Sequence, residues 1–259
     1  MRKVRAKKNL GQHFLKDENI AANIANGFVA DAPNLILEIG PGMGILTRHL
    51  LKRPNADVHV VEIDHESVDF LKAEMPMLDG RIIEGDFLKL NLQTLFNQPI
   101  AVAGNFPYNI SSQILFKIID NRQMIPQMVG MFQKEVAERV ASAPGSKAYG
   151  ILSVLLQAYY KIDYLFTVHE NVFDPPPKVK SGVIRLVRNN VEHLSCNEQL
   201  FTQVVKTSFN QRRKTLSNSL KPILKEAKTD LPLFKLRPEQ LSVSEFVELT
   251  NIVENIINK

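Results

Sequence analysis

The 259-residue sequence has little of what would build a disulfide framework, a metal cluster or a membrane span. Cys196 is the single cysteine, so neither a disulfide within the chain nor a cysteine metal cluster can form. The six histidines show no HExxH or other paired spacing, and we expect no metal. No apolar run approaches the ~20 residues of a membrane span, and no apolar stretch follows the basic N-terminus as in a secretory signal. We therefore expect a soluble protein of the reducing cytoplasm.

Positive charge is concentrated in two segments of the sequence. The net charge is +5 overall, but residues 1–16 and 201–228 each carry +6, which leaves −7 for the rest of the chain. This asymmetry favours a polyanionic partner, nucleic acid before membrane. Basic tails that merely aid solubility are the alternative, and charge alone does not decide between the two.

Short apolar runs alternate with helical patterns from residue 17 to about residue 188. Continuous apolar strands separated by helices predict an α/β domain with a mostly parallel sheet covered on both faces. Only a proline-rich loop joins the last two predicted strands, so we expect one of them to be antiparallel. The seven predicted strands are residues 35–39, 58–62, 81–84, 100–104, 128–132, 162–168 and 183–188.

The pattern after residue 188 is helical only. The sequence thus predicts an α/β domain over residues 1–190, with a basic N-terminal arm at 1–16, and a small all-helical domain over 191–259. The final helix opens with a capping box formed by Ser242 and Glu245.

A glycine-rich loop, Gly40-Pro-Gly-Met-Gly44, directly follows the first predicted strand and precedes a helix. Glycines let a backbone approach a ligand, and a helix N-terminus favours electron-rich groups. Ligands of parallel sheets bind at the carboxyl ends of the strands. Glu62 ends the second strand, where an acid can accept hydrogen bonds from ribose hydroxyls. Asp86 ends the third strand and can accept from the exocyclic amine of adenine, with Phe87 beside the ring.

Two classes of nucleotide-binding enzyme compete for this pattern. A dinucleotide-binding dehydrogenase carries GxGxxG, whereas the glycines here are spaced two and two. Glu38, just before the loop, suits a ligand with a cationic amino-acid tail better than a pyrophosphate. The loop alone could be a plain tight turn. Together with Glu62 and Asp86 on successive strand ends, it favours a methyltransferase that uses S-adenosyl-L-methionine (SAM).

The fourth predicted strand ends in Asn105-Phe-Pro-Tyr108. The N6 amine of adenine is a poor nucleophile because its lone pair is delocalised into the ring. The Asn105 side-chain oxygen and the Phe106 carbonyl can each accept one N–H and aim the lone pair at a sulfonium methyl. Pro107 stiffens this peptide, and Tyr108 offers a ring for stacking of an unstacked base. A turn with Tyr108 in the core is the alternative, but this strand end predicts methylation of a nucleic-acid base.

A second aromatic side chain, Phe173, precedes Asp174 and three prolines in the loop between the last two predicted strands. A stiff, extended proline segment could hold Phe173 against the other face of the base. The alternative is that Phe173 plugs the end of the sheet.

Ten stretches, in order and over nearly the whole chain, match one known family: Asn9–Leu15, Glu38–Gly44, Val61–Asp64, Gly85–Asp86, Asn105–Ser111, Gln133–Arg139, Pro144–Val154, Val172–Val179, Phe209–Leu216 and Arg237–Ser242. The sequence resembles the ribosomal RNA adenine dimethyltransferases, most closely those of the bacterial small subunit. One departure is Phe106, where Leu is usual. The carbonyl role survives that change, which bears instead on the shape of the pocket.

The resemblance implies a Rossmann-like class I methyltransferase domain and a C-terminal helical domain that contacts rRNA. It implies four methyl transfers from SAM to the N6 amines of two adjacent adenosines in the 3′-terminal hairpin loop of 16S rRNA, during assembly of the 30S subunit. We expect a monomer. The implied cofactor contacts are His13, Leu15, Gly40, Gly42, Glu62, Ile63, Asp86, Phe87 and Asn105. The expected RNA contacts are Arg2, Lys3, Arg5, Lys7, Lys8, Lys147, Arg212, Arg213 and Lys214.

Two other functions stay open at this point. One is methylation of 23S rRNA, as in macrolide resistance, although the FNQRRKTL and RPEQLS stretches favour the small-subunit substrate. The other is a binding, assembly or transcription factor for which methylation is dispensable. The intact Asn105, Pro107 and Tyr108 argue against loss of activity but leave room for a dual role.

Overall fold

The computed structural model of the chain describes residues 4–225 and 230–258. The chain forms two compact units, one of Met1–Ala137 with Ile162–Arg188 and the other of Glu138–Lys161 with Asn189–Lys259. A domain boundary near residue 190, as expected from the sequence, would separate residues 138–161 from the C-terminal helices, although both belong to the same compact unit. Among the described residues, no helix combines the length and apolar character needed to cross a bilayer.

The first unit is built on a mixed sheet. The strands in chain order are β1 (Phe14–Leu15), β2 (Leu35–Ile39), β3 (Asp57–Glu62), β4 (Ile82–Glu84), β5 (Ala101–Asn105), β6 (Gln127–Gln133), β7 (Tyr160–Val168), β8 (Phe173–Asp174) and β9 (Ser181–Arg188). Within the described ranges, seven of them form one sheet in the order β4-β3-β2-β5-β6-β9-β7. Strands β2 to β6 pair in parallel, and β9 runs antiparallel to β6. The predicted mostly parallel sheet, with an antiparallel strand near its end, is confirmed.

The central strands are buried on both faces, as their continuous apolar sequences require. Every residue of β2 is buried, and so is every residue of β6 except the last. The helices in chain order are α1 (Glu18–Ala25), α2 (Ile45–Leu50), α3 (His65–Glu74), α4 (Leu92–Leu95), α5 (Ser111–Asp120), α6 (Lys134–Ala141), α7 (Ile151–Gln157), α8 (Glu198–Asn210), α9 (Leu216–Ser219), α10 (Lys221–Leu224) and α11 (Val243–Ile257). Asp17 caps α1 by accepting hydrogen bonds from the amides of Asn19 and Ile20, at 2.9 and 3.1 Å.

Strand order reverses between β2 and β5. The chain runs from β2 outward to β3 and β4, then returns to the other side of β2 as β5. The loops that follow β2 and β5 therefore leave the sheet in different directions, and a crevice opens at the carboxyl ends of these strands. Glu38 pairs with Ala103 in the register, so Gly40 and Asn105 leave the sheet at nearly the same level.

Two short strands tie down the N-terminal segment of the first unit. β1 pairs antiparallel with β8, with Phe14 opposite Asp174 and Leu15 opposite Phe173. This pair was not predicted from the sequence. Two residues on each side are too few to show a strand period.

Helices of the second unit pack around an apolar centre. α8 packs against both α7 and α11, which explains why residues 138–161 belong with the C-terminal helices. The ring of Phe209 lies 5.9 Å from that of Phe246 and 6.2 Å from that of Tyr149. The predicted capping box is confirmed, because the Ser242 amide donates to Glu245 Oε2 at 2.7 Å and the Glu245 amide donates to Ser242 Oγ at 3.3 Å.

Candidate active site

A cleft lies in the first unit, at the carboxyl ends of β2, β3 and β5. The reversal of strand order creates the space, and the loops after these strands supply its walls. Most of the predicted cofactor and catalytic residues meet there. The predicted residues that line the cleft are His13, Gly40, Gly42, Glu62, Ile63, Asp86, Phe87, Asn105, Phe106, Pro107 and Tyr108.

Glu62 connects the end of β3 to the glycine loop. Its Oε2 accepts from the Gly42 amide at 3.1 Å, and its Oε1 accepts from the amides of Ile63 and Asp64, both at 2.9 Å. Burial raises the pKa of Glu62 above its usual value, although these backbone hydrogen bonds oppose the shift. The carboxylate is thus fixed in place, and Oε2, which accepts only one of these bonds, keeps capacity for another.

An acceptor and an apolar surface lie together after β4. Asp86 Oδ1 accepts from the Leu88 amide at 2.9 Å, while Oδ2 lies 4.0 Å from the Lys89 ammonium. Ile63 is 49% exposed and lines the cleft, and Phe87 is buried there. This combination suits a purine ring, whose faces are apolar and whose amine needs an acceptor.

Lys117 holds the loop that carries Asp86 and Phe87. Its ammonium donates to the carbonyls of Leu88 and Leu90 at 2.9 and 2.6 Å, and it lies 5.4 Å from the centre of the Phe87 ring. Burial lowers the pKa of Lys117, and the Asp86 carboxylate partly opposes that shift. The role of Lys117 was not predictable from the sequence, because a single lysine on a helix carries no motif.

The amide of Asn105 is oriented by the N-terminal segment. Asn105 Nδ2 donates to the His13 carbonyl at 2.9 Å. The donor end of the amide is therefore occupied, and the oxygen is the end available to a ligand. Pro107 follows with φ −57°, and the Phe106 amide donates to the Met131 carbonyl at 3.1 Å. Both ends of this short peptide are thus constrained.

Tyr108 lies at the cleft rather than in the core, which excludes the alternative of a core tyrosine. Its ring stacks on that of His13, with centroids 5.5 Å apart and planes 30° apart. Its hydroxyl is 2.6 Å from Ser181 Oγ, at the start of β9. Burial raises the pKa of Tyr108, so the phenol stays protonated at neutral pH. The ring is therefore held at one edge and on one face.

Residues 10–14 line one wall of the cleft, and segment 7–13 is fixed to the start of α3. The Lys7 ammonium contacts the Asp64 carboxylate and lies 3.1 Å from Glu66 Oε1. Gln12 accepts from the Lys7 amide at 2.8 Å and donates to Asp64 at 3.2 Å. Burial alone would raise the pKa of Asp64, but the hydrogen bonds from Lys7, Gln12 and Ser67 hold it below its usual value. Lys7 thus has a partner within the protein.

Several further residues of this segment and of the helical turn after Tyr108 line the cleft without having been predicted. Only their place in the NLGQHFL and NFPYNIS stretches distinguished them. They are Leu10, Gly11, Gln12, Phe14, Asn109 and Ile110.

Two predicted site residues lie away from the main cleft. Phe173 is 1% exposed and packs in the core of the first unit with Leu15, its partner in the β1–β8 pair. The structure therefore does not support a stacking role for Phe173, because the strand pairing turns its ring into the core, and His13 lies beside Tyr108 instead. Leu15 lines a smaller cavity together with Glu38 and with residues of the glycine loop.

The predicted RNA contacts differ in their surroundings. Arg212 is partly buried and donates to the Ser146 carbonyl at 3.2 Å, so it has a structural role within the second unit. Arg2 and Lys3 lie outside the described residues. The remaining side chains, apart from Lys7, are exposed: Arg5, Lys8, Lys147, Arg213 and Lys214.

Glu38 is buried beside the glycine loop. It is 1% exposed and lines a small cavity with Gly40 and Asn105. Its Oε2 has no hydrogen-bond partner within residues 4–225 and 230–258. Burial raises the pKa of Glu38 to about 8, and the Glu62 carboxylate acts in the same direction. The carboxyl is therefore largely protonated at neutral pH.

Replacing Glu38 by Gln should remove a pH-dependent part of the folding stability. Between the ordinary carboxyl pKa of 4.5 and about 8, folded Glu38 keeps a proton that the unfolded chain has released. Wild-type stability is thus lost as pH rises through this window, whereas Gln cannot ionise. The difference should reach a few kcal/mol above about pH 8, since each pKa unit corresponds to about 1.4 kcal/mol. Denaturant unfolding of both proteins across this range measures it, and parallel stability curves would contradict a buried, neutral carboxyl.

Comparisons with known proteins agree with this geometry. The sequence model of the ribosomal RNA adenine dimethylase family matches residues 3–259. A relative from Bacteroides fragilis, the ribosomal RNA small subunit methyltransferase A, is 59% identical over 261 residues, which cover 99% of this chain and 95% of the relative.

Solved structures share the fold. The crystal structure of a dimethyladenosine transferase from Plasmodium falciparum superposes with a TM-score of 0.77 at 26% identity, covering 94% of this chain and 98% of that one. The 23S rRNA methyltransferase ErmE gives a TM-score of 0.66 at 24% identity, covering 92% and 99%. The resemblance found in the motifs is confirmed: the chain belongs to the ribosomal RNA adenine dimethylase family.

Proposed function

We propose that this chain uses SAM to dimethylate the N6 amines of two adjacent adenosines in the 3′-terminal hairpin loop of 16S rRNA, while the small subunit assembles in the cytoplasm. The observation that carries the proposal is one cleft in which Asn105, Pro107 and Tyr108 lie with Glu62 and Asp86. Family membership gives the reaction class. The name of the relative from Bacteroides fragilis supports the small-subunit substrate. We further propose that the enzyme acts as a monomer.

The side chains of the cleft fit SAM. Asp86 would accept from the adenine amine with Ile63 against the ring, and Glu62 would accept from the ribose hydroxyls. Glu38, whose Oε2 lacks a partner among the described residues, would face the cationic amino group of the cofactor's tail near Gly40. That positive charge would lower the raised pKa of Glu38 and so favour its carboxylate when the cofactor binds. When bound, SAM supplies an activated methyl group on a sulfonium sulfur.

Asn105 and the following peptide would orient the target amine. Because the His13 carbonyl occupies the donor end of the Asn105 amide, the oxygen is presented to accept one N–H of the adenine amine. The Phe106 carbonyl accepts the other N–H, and Pro107 limits its motion. With both N–H groups held, the lone pair of the nitrogen is directed toward the methyl donor. Such positioning supplies most of the catalysis, and no strong general base is needed because the alkylated amine is acidic.

Tyr108 would support the flipped base. His13 covers one face of the Tyr108 ring and Ser181 holds its hydroxyl, so the base is proposed to stack on the opposite face. A ring already fixed in position loses little conformational entropy when the base binds.

Phosphate contacts would come from exposed basic side chains of each unit. In the first unit these are Arg5 and Lys8, together with Arg2 and Lys3 from outside the described residues. In the second unit they are Lys147, Arg213 and Lys214. Such contacts position a protein on its nucleic acid without reading sequence. We propose that the α/β unit performs methyl transfer and the helical unit docks on rRNA.

The substrate is tested by offering methyl-labelled SAM and the protein to unmethylated pre-30S and 50S particles. We expect label in the 30S rRNA, located by mass spectrometry as dimethyladenosine. Label in 50S particles alone would overturn the proposal in favour of 23S rRNA. The fold shared with ErmE does not distinguish these two substrates, because one fold can serve different functions. If an inactive variant rescues a deletion strain fully, an assembly role independent of methylation is indicated.

Asn105→Ala should abolish methyl transfer with little change in cofactor affinity. Loss of the oriented acceptor should lower kcat by about 100-fold or more, the size expected when a reacting group is misplaced by about 1 Å. Calorimetric binding of S-adenosylhomocysteine is the control and should weaken only severalfold. A variant that methylates at the wild-type rate would remove Asn105 from the mechanism.

Two variants of Tyr108 should distinguish the contribution of its ring to activity from that of its hydroxyl. Tyr108→Phe loses only the Ser181 contact and should keep most activity. Tyr108→Ala also loses the stacking surface, worth ~1–3 kcal/mol, so kcat/KM for rRNA should fall by roughly 5- to 150-fold. Equal activities of the Phe and Ala variants would mean that the base does not stack on Tyr108.

Lys7 and Lys8 form a matched pair of adjacent lysines with different surroundings. Lys7→Met should weaken cofactor binding, because segment 7–13 loses its ion pairs with Asp64 and Glu66 and keeps only the hydrogen bond from Gln12 to Asp64. Lys8→Met should leave cofactor affinity unchanged and flatten the salt dependence of rRNA binding, since log K changes with log salt in proportion to the phosphate contacts. Calorimetry with S-adenosylhomocysteine and rRNA titrations at several salt concentrations measure both. Identical behaviour of the two variants would contradict this division of roles.

A further inference from the structure

Phe106 belongs to the core through its ring and to the active site through its peptide. The ring is 1% exposed and lies 4.8 Å from the ring of Phe132, with planes 41° apart. The peptide lies between Asn105 and Pro107, and all three residues line the cleft. The place where the ring packs therefore determines where the Asn105 amide and the Phe106 carbonyl stand.

Two glycines lie beneath this ring. Gly104 in β5 and Gly130 in β6 are direct neighbours in the parallel register, on the strand face that carries Phe106 and Phe132. Neither has a positive φ, so their backbones do not require glycine. Glycine inside a strand weakens it, and often marks a site where another group approaches closely.

The approaching group is the Phe106 ring. A Cβ built on Gly130 would overlap the ring edge, with Cδ2 at 2.8 Å and Cζ at 2.9 Å. A Cβ on Gly104 would lie 2.6 Å from Cε1 of the same ring. The ring thus occupies the volume that two ordinary side chains would fill.

We propose that Gly130 is a positioning residue for methyl transfer. By leaving room for the Phe106 ring, it fixes the two oxygens that receive the target amine. Gly130 itself is not among the residues that line the cleft, so its effect passes through Phe106. This inference rests on the proposed function, because it assigns the aligned oxygens to the amine.

Gly104 differs from Gly130 in one respect that sharpens the test. A Cβ at Gly104 would also lie 2.8 Å from the backbone carbonyl oxygen of Ile39, which is held in β2. A smaller side chain at position 106 would relieve the overlap at Gly130 but not this second overlap. Phe106→Leu should therefore compensate for an alanine at 130 and fail to compensate for one at 104.

The experiment is a pair of double-mutant cycles: Gly130→Ala with Phe106→Leu, and Gly104→Ala with Phe106→Leu. Rates of methyl transfer to small-subunit rRNA, S-adenosylhomocysteine affinity and thermal unfolding are measured for each protein. Gly130→Ala should lower kcat by about 100-fold, as for a misplacement of ~1 Å, with nearly unchanged cofactor affinity. Adding Phe106→Leu should recover about tenfold or more, a coupling typical of residues in contact. The Gly104 cycle should show no recovery.

Three results would overturn the inference: wild-type kcat in Gly130→Ala, additive effects in the Gly130 cycle, or equal recovery in both cycles. If Gly130→Ala alone does not fold, the double variant still decides, because its recovery as a folded, active protein requires the smaller side chain. The proposed function is judged separately by the wild-type protein. Failure of the wild type to methylate small-subunit rRNA would refute that function, whereas an active wild type with additive cycles would refute only the role of Gly130.

Discussion

The hydrogen bond from the Asn105 amide to the His13 carbonyl joins the two parts of the active site. One partner ends β5 and the other lies in the N-terminal segment, far away in sequence. The bond occupies the donor end of the amide and leaves the oxygen as the end available to a ligand. It depends in turn on the position of the segment, which is fixed by the β1–β8 pair and by the contact between Lys7 and Asp64. A segment that reads as a basic tail is therefore a wall of the site.

The sheet provides the second constraint. Parallel strands place all their carboxyl ends at one edge, and the reversal of order between β2 and β5 opens space there. Three acceptors with different proposed tasks, Glu62, Asp86 and Asn105, are thus brought together without being close in sequence. Gly104 and Gly130 help to position Asn105, because they leave room for the ring of the next residue, Phe106. The positions of the groups in the cleft therefore depend on the packing beneath the cleft as well as on the residues that line it.

The sequence predicted the sheet and most of the cleft because both follow from local patterns. Apolar runs identify strands, and residues at strand ends must meet at one edge, which is why Glu62, Asp86 and Tyr108 could be expected to line one cleft, as they do. Phe173 could not be placed this way, because its position depends on a two-residue pairing with β1 that leaves no periodic signal. Lys117 was missed for a similar reason, since its partners are backbone carbonyls of another segment. Long-range partners, rather than element types, limited the prediction.

The roles of the basic residues also depend on partners that are distant in the sequence. Charge counting treats every lysine and arginine as available to a polyanion, yet Lys7 and Arg212 have partners within their own units. A side chain that already balances a carboxylate or a carbonyl adds to the long-range field but releases few counterions when RNA binds. The salt dependence of binding is set by phosphate contacts rather than by net charge. The exposed residues, Lys8, Arg213 and Lys214 among them, should therefore determine that dependence. Lys7 instead holds the N-terminal segment beside the cleft, and Arg212 stabilises the second unit.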